Sequence, residues 1–159
     1  MHAKKKDGSI LVPVDFSEHS VAALLLAAEF ANKLDASLTV LHVVHDLGEA
    51  PGYYSVKGHN KVLRRMEDVA RDMMDAFMSD MMKKHPEFTA LKTAGTMLVV
   101  GLPVSRILEI AKKTHARMIV MGSQGRTGLS HVLMGSKAEQ VMRLSPIPVT
   151  IVKKNNKKQ

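Results

Sequence analysis

The stretch Ser37-Leu-Thr-Val-Leu-His-Val-Val44 is apolar at nearly every position rather than at every second one. A strand that alternates apolar and polar residues keeps one face in water, whereas a run with almost no polar positions must be covered on both. Strands of that kind belong to parallel sheets lying between layers of helices. Upstream, Ile10-Leu-Val-Pro-Val14 is a second apolar, β-branched run of strand length, and it ends on Asp15. Pro13 within it marks a position near the strand end where no N–H is needed. Between the two runs, Ser17 is a good N-cap with Glu18 in the first turn. Val21, Leu24, Leu25, Ala28 and Ala31 then recur at helical spacing to about Lys33. Strand, helix and strand within about 35 residues make a right-handed βαβ unit with parallel strands.

The pattern repeats downstream. Residues 46–60 hold Gly48, Pro51, Gly52 and Gly58 and read as a loop longer than a plain connection needs. Lys61 to His85 predicts a long amphipathic helix, with Leu63, Met66, Val69 or Ala70, Met73, Phe77 and Met81 along its apolar stripe. Six of the twelve methionines lie here. They suit an adaptable binding surface, but the periodicity favours a stripe packed on the sheet. Thr93 to Val100 is a third strand, ending at Gly101. Pro103 opens a helix through Val104, Ile107, Leu108 and Ala111 to His115. Arg117 to Met121 is a fourth strand, and a last helix follows, with Val141, Met142 and Leu144 on its apolar side. Pro146 to Val152 is a fifth strand. The alternation predicts the α/β class: one Rossmann-like open parallel sheet of five strands with helices on both faces. Pro146 and Pro148 confine the fifth strand to an edge, and an apolar edge needs cover. Pairing of Val149–Val152 with its own copy across a two-fold axis predicts a homodimer.

The chain of 159 residues reads as one domain over residues 9–152, between a basic N-terminal tail (1–8) and a basic C-terminal tail (153–159). Its net charge of +8 resembles a nucleic-acid signal until the charges are placed, because the two tails carry +6 of it. With aromatic content of 4%, specific nucleic-acid binding is not expected. There is no cysteine, no apolar run near the ~20 residues a membrane span needs, and no signal-peptide pattern after Met1. The expectation is a cytoplasmic protein without membrane contact.

The fourth strand runs into Gly122-Ser-Gln-Gly125-Arg-Thr-Gly128-Leu-Ser-His-Val-Leu-Met-Gly135-Ser136-Lys137. Glycines between a strand end and a helix start allow positive φ and a close approach to a ligand. Ser136 is placed as the N-cap of the following helix, whose free N–H groups would face an anion. The sequence has no Gly-Lys-Ser/Thr of a Walker A loop, and its Gly-x-x-Gly spacing is not the dinucleotide fingerprint. On spacing alone, an ordinary Gly-rich βα connection and a phosphate-binding loop are equally compatible.

Taken together, Ile10-Leu-Val-Pro-Val-Asp15, Leu41-His-Val-Val44, Gly101-x-Pro103, Ile107-x-x-x-Ala111, Ile119-Val-Met-Gly122 and Gly122-x2-Gly125-x9-Gly135-Ser136 resemble the universal stress protein family over nearly the whole chain. The last spacing is similar to the signature of the family's ATP-binding branch; another branch lacks it. The resemblance implies strand order 3-2-1-4-5 and dimerisation through the fifth strand. It implies that Pro13, Val14 and Asp15 contact the nucleoside and that Val43 and Met121 line the adenine pocket. Gly122, Gln124 and Gly125 would approach ribose and phosphate. Gly135, Ser136, Lys137 and Ala138 would supply N–H groups and a hydroxyl to a triphosphate, with Mg²⁺ carried on ATP. One departure is Arg117, where family members often have an acid.

Individual residues keep second readings. Asp15 also suits a plain cap for the next turn, although Ser17 already offers that cap. Arg126 suits bidentate phosphate contact or plain solvation, and Lys137 contributes through its backbone N–H sooner than its charge. His131 stands alone near the loop, and His42 and His45, three apart on a strand, face opposite sides and do not make a metal pair. No constellation for positioning a hydrolytic water is recognisable. The expected function is an ATP-binding regulatory module. A slow ATPase or adenylate-transferring enzyme, and a structural dimer without nucleotide, are the alternatives.

Overall fold

The computed structural model describes residues 8–45, 66–126 and 134–154. The 46–60 loop, the predicted helix start from Lys61 with Leu63, His131, and most of both tails lie outside the described residues. Among the described residues no helix is long and apolar enough to cross a membrane.

Five strands, β1 (Ser9–Pro13), β2 (Ser37–Val44), β3 (Gly95–Val100), β4 (Ala116–Gly122) and β5 (Val149–Val152), form one sheet in the order β3-β2-β1-β4-β5. Every neighbouring pair is parallel, with Pro13 opposite Leu41, Val43 opposite Val99, Leu11 opposite Ile119 and Gly122 opposite Val152. The helices are α1 (Glu18–Leu34), α2 (Met66–Lys84), α3 (Thr89–Lys92), α4 (Pro103–Lys113) and α5 (Ser136–Leu144). The β-branched strands sort their residues by parity between two cores. Ile10, Val12, Leu38, Val40 and Val120 pack with α1, α2 and α3 on one face. Leu11, Leu41, Ile119 and Met121 pack with α4 and α5 on the other. The α/β class, the strand order and the two-sided burial of β2 are as expected.

Four local expectations need correction. The stripe of α2 runs through Ala70, Met74, Met78 and Met81, with Met73 and Phe77 only partly buried beside it. A 3.6-residue period fixes a stripe to within one residue; here Phe77 sits at its margin, edge-on to Phe16 with ring centroids 5.4 Å apart. The third strand begins at Gly95, not Thr93, because α3 precedes it. That short helix is capped from outside: Asn32 Oδ1 of α1 accepts the Ala90 N–H at 2.9 Å and the Thr89 hydroxyl at 3.2 Å. In α5 the buried residues are Ala138 and Val141, while Met142 and Leu144 are 44% and 61% exposed. The helix lies over the β4–β5 side, where β5 is the outermost strand. Finally, the fifth strand proper starts only after Pro148.

Candidate functional site

In this strand order the chain leaves β1 and β4, adjacent central strands, toward opposite faces: α1 follows β1 on one face, and α5 follows β4 on the other. That divergence opens a crevice at the carboxyl ends of the two strands, the place where open parallel sheets bind ligands. Both segments singled out in the sequence, Pro13–Asp15 and the glycine-bearing stretch from Gly122, end there.

After β1 the chain turns sharply. The Val14 N–H continues the ladder to the Leu41 carbonyl at 2.8 Å. Asp15 Oδ1 accepts the Ser17 N–H at 3.0 Å, and the Ser17 hydroxyl accepts the Ser20 N–H at 3.3 Å to cap α1. So Asp15 does help form the turn, and Ser17 is the N-cap as expected. Between them Phe16 has φ 65°, a left-handed conformation that costs a bulky residue on the order of 1–3 kcal/mol. Its ring is held between His42, 4.4 Å away centroid to centroid, and Phe77.

The other wall is the segment after β4. Gly122 closes the strand, and a Cβ there would stand 2.8 Å from the backbone carbon and Cβ of His19, so its lack of a side chain lets the first turn of α1 pack against β4. Ser123, buried and overlooked in the sequence, donates its N–H to the Val152 carbonyl at 2.8 Å and accepts the Gly135 N–H at 2.7 Å. One backbone unit thus joins β5, β4 and the start of α5. A buried backbone has to find partners, but which ones follow only from the tertiary arrangement. Gly125 is exposed, and a Cβ on it would lie 3.0 Å from Asp15 Oδ2. Gln124 is half-buried; Arg126 is exposed and lines, with Phe16, Ser17, Glu18, His19 and Gly125, an open cleft of about 360 Å³.

The helix start differs from expectation in one respect. Gly135, extended at φ −72°, is the N-cap of α5, and Ser136 is the first helical residue. Gly135 still points its N–H back to Ser123 while its carbonyl accepts from the Glu139 N–H at 3.0 Å, so the helix begins one residue earlier than a serine cap would place it. A glycine cap has no side chain to offer, and no side chain caps this helix. The amides of Ser136, Lys137 and Ala138 form its open first turn; Ser136 and Lys137 are exposed, and Ala138 packs its methyl into the core.

Val43 and Met121 lie on the same face of the sheet, toward α4 and α5, Val43 half-buried and Met121 buried. His42 points to the other face. It is 2% exposed, its Nδ1 lies 2.8 Å from the Val14 carbonyl, and its stacking on Phe16 fills the gap under the turn. Because that carbonyl can only accept, Nδ1 carries the hydrogen. Burial lowers the His42 pKa below the ordinary imidazole value of 6.5, with the Val14 carbonyl and the Asp15 carboxylate opposing and the Arg126 guanidinium adding to the shift. A histidine in a nearly apolar strand was the sequence signal that a buried partner must exist. Just beyond β5, Lys154 forms an ion pair with Glu18 at the start of α1, so the chain past Val152 is tied to the body at that point; the exposed Glu18 carboxyl is held below its ordinary value by this partner.

The universal stress protein family model matches residues 8–153. Universal stress protein MJ0577 of Methanocaldococcus jannaschii is 32% identical over 160 residues, covering 92% of this chain and 95% of that protein. Its solved structure superposes with a TM-score of 0.67 at 27% identity, over 94% of this chain and 97% of that one. Universal stress protein YxiE of Bacillus subtilis is 32% identical, covering 91% of this chain and 97% of its own length. At 22% identity, a universal stress protein from Archaeoglobus fulgidus, solved in complex with dAMP, shares the fold with a TM-score of 0.64 over 92% of this chain and 98% of that one. Matched by the family model over residues 8–153 and by these relatives over almost their full length, the chain belongs to the universal stress protein family.

Proposed function

We propose that this chain binds an adenine nucleotide, ATP with Mg²⁺, in the crevice between β1 and β4, and acts as a homodimeric regulatory module. The observation that carries the reading is the meeting of Asp15 with Gly125 beside the open first turn of α5. An acceptor for a nucleoside, a glycine that leaves room against it, and a helix N-terminus without a side-chain cap are the three parts a nucleoside phosphate needs. In this reading Pro13, Val14 and Asp15 face the nucleoside, and Val43 and Met121 supply the apolar wall for adenine. Gly122, Gln124, Gly125 and Arg126 border ribose and phosphate. The amides of Ser136, Lys137 and Ala138 take the terminal phosphates, with Gly135 closing the loop behind them.

The Archaeoglobus fulgidus relative holds dAMP, and its likeness to this chain is one of fold, so the chemistry here rests on these residues. In this reading the Mg²⁺ is carried by the phosphates, where it would offset their charge. A ligand bound across β1, β4 and α5 that prefers one state of the protein would shift a partner-competent population.

The dimer is proposed through β5. The Pro148 and Val152 carbonyls accept from the Ile119 and Ser123 N–H groups, so the alternate residues Val149 and Ile151 turn their backbone groups away from β4, toward the open edge. The exposed Met142 and Leu144 lie on α5, which packs beside that strand.

The test is to purify the protein without added nucleotide, denature it, identify what is released, and then titrate ATP with Mg²⁺ by calorimetry. Released adenine nucleotide, or saturable binding that Gly135→Val removes, supports the reading. Absence of both would overturn it.

A further inference from the structure

Among the described residues His42 is the one titratable side chain that is fully buried, and nothing in the nucleotide reading uses it. Its surroundings are specific. Nδ1 donates to the Val14 carbonyl at 2.8 Å, and the ring lies against Phe16 at 4.4 Å, tilted by 34°. Phe16 is in turn packed edge-on against Phe77 of α2. Three consecutive residues after β1 are therefore each held by contacts of their own. Val14 is held by His42 and by the Leu41 carbonyl, Asp15 by the Ser17 N–H, and Phe16 by the two rings.

Phe16 has a positive φ, and a bulky residue keeps that conformation only where its surroundings impose it. The turn it makes sets where the Asp15 carboxylate goes: Oδ1 to the backbone of α1, Oδ2 to the place beside Gly125 that a side chain would fill. A donor at the position of Nδ1 is central to this. Without it the Val14 carbonyl is left buried and unpaired, and the chain has reason to rotate the 14–15 peptide.

We propose that His42 is a positioning residue of the nucleotide site, which through the Val14 carbonyl and the Phe16 ring fixes the turn that presents Asp15 to the nucleoside. This rests on the nucleotide reading above. It adds that the nucleoside half of the site depends on a side chain from β2 that touches no ligand, while the phosphate half at α5 does not depend on it.

The experiment compares the wild-type protein with His42→Asn, whose amide places a donor near that of Nδ1, and His42→Leu, which has none. Each is titrated by calorimetry with ATP, with adenosine and with inorganic tripolyphosphate at constant Mg²⁺. H42L should lose about tenfold in affinity for ATP and adenosine, the size of one lost hydrogen bond, and keep its affinity for tripolyphosphate. H42N should stay within about threefold of the wild type, since only the ring stacking is lost. Should H42L fail to fold, His42→Gln, which carries its donor one bond further out, takes its place with the same expectation. Equal adenosine affinity in wild type and H42L, or parallel losses for adenosine and tripolyphosphate, would overturn the proposal. Amide hydrogen exchange at Ser17, measured without nucleotide, separates this from the wider reading. Exchange should quicken in H42L and not in H42N, and unchanged exchange in H42L rejects the positioning role even if the wild type binds no nucleotide at all.

Discussion

The Asp15 carboxylate lies close against Gly125: a Cβ on Gly125 would stand 3.0 Å from Asp15 Oδ2, tighter than an ordinary side-chain contact. One residue follows the first strand and the other belongs to the loop after the fourth, so the contact joins two segments that are more than 100 residues apart in the sequence. Neighbouring glycines do different jobs. Gly122, at the end of β4, admits the backbone of α1, whereas Gly125 in the loop admits a carboxylate.

That difference is measurable. Gly125→Val, on an exposed loop, should lower ATP affinity about tenfold or more while leaving the unfolding midpoint nearly unchanged. Gly122→Ala drives a methyl into the His19 backbone at 2.8 Å and should cost about 1–3 kcal/mol of folding stability by urea denaturation. Equal effects of the two substitutions on stability would contradict the division.

Asp15 serves both the turn and the proposed ligand. Asp15→Asn keeps an acceptor for the Ser17 N–H and removes the charge, whereas Asp15→Ala removes both. The alanine variant should lose about 1 kcal/mol of stability relative to the asparagine variant. Its ATP affinity should fall about tenfold or more below wild type in calorimetric titration.

Burial lowers the His42 pKa, so stability should depend on pH in a definite direction. Below the ordinary value of 6.5, the unfolded chain takes up a proton that the folded chain refuses. The contribution of His42 is therefore fully present above that pH and is lost as pH falls through it toward the lower folded value. Urea melts at a series of pH values should show the wild type losing more stability than His42→Asn across this window. A steeper slope in the asparagine variant would sink the assignment.

The rotated stripe of α2 makes its own forecast. Met74, buried in the core, should cost about 2–5 kcal/mol when changed to Ala. Met73→Ala, at the stripe's half-buried margin, should cost less than about 1 kcal/mol in the same denaturation assay.

At the edge strand, Ile151→Pro removes an N–H that faces away from β4 and leaves the β4 ladder intact. Sedimentation equilibrium should then show the proposed homodimer weakened toward monomer. An undiminished dimer would place the interface elsewhere.

Much of this protein could be read without coordinates, for a physical reason. Near-continuous apolar strands such as Ser37–Val44 require cover on both faces, and helix stripes between them supply it; hence the α/β class and parallel sheet follow from local pattern. N-cap chemistry at Ser17 and the proline opening α4 are equally local, and both ends appear where expected. Tertiary structure decided what depends on neighbours from distant sequence. It rotated the α2 stripe toward Phe16, capped α3 with Asn32, exposed Met142 and Leu144 beside an edge, and made Gly135 rather than Ser136 the cap of α5. It also gave His42 its partner and Gly122 its packing role. A residue's type limits what it can bond to, but which group stands within reach is set only when the strands are ordered and the helices laid across them.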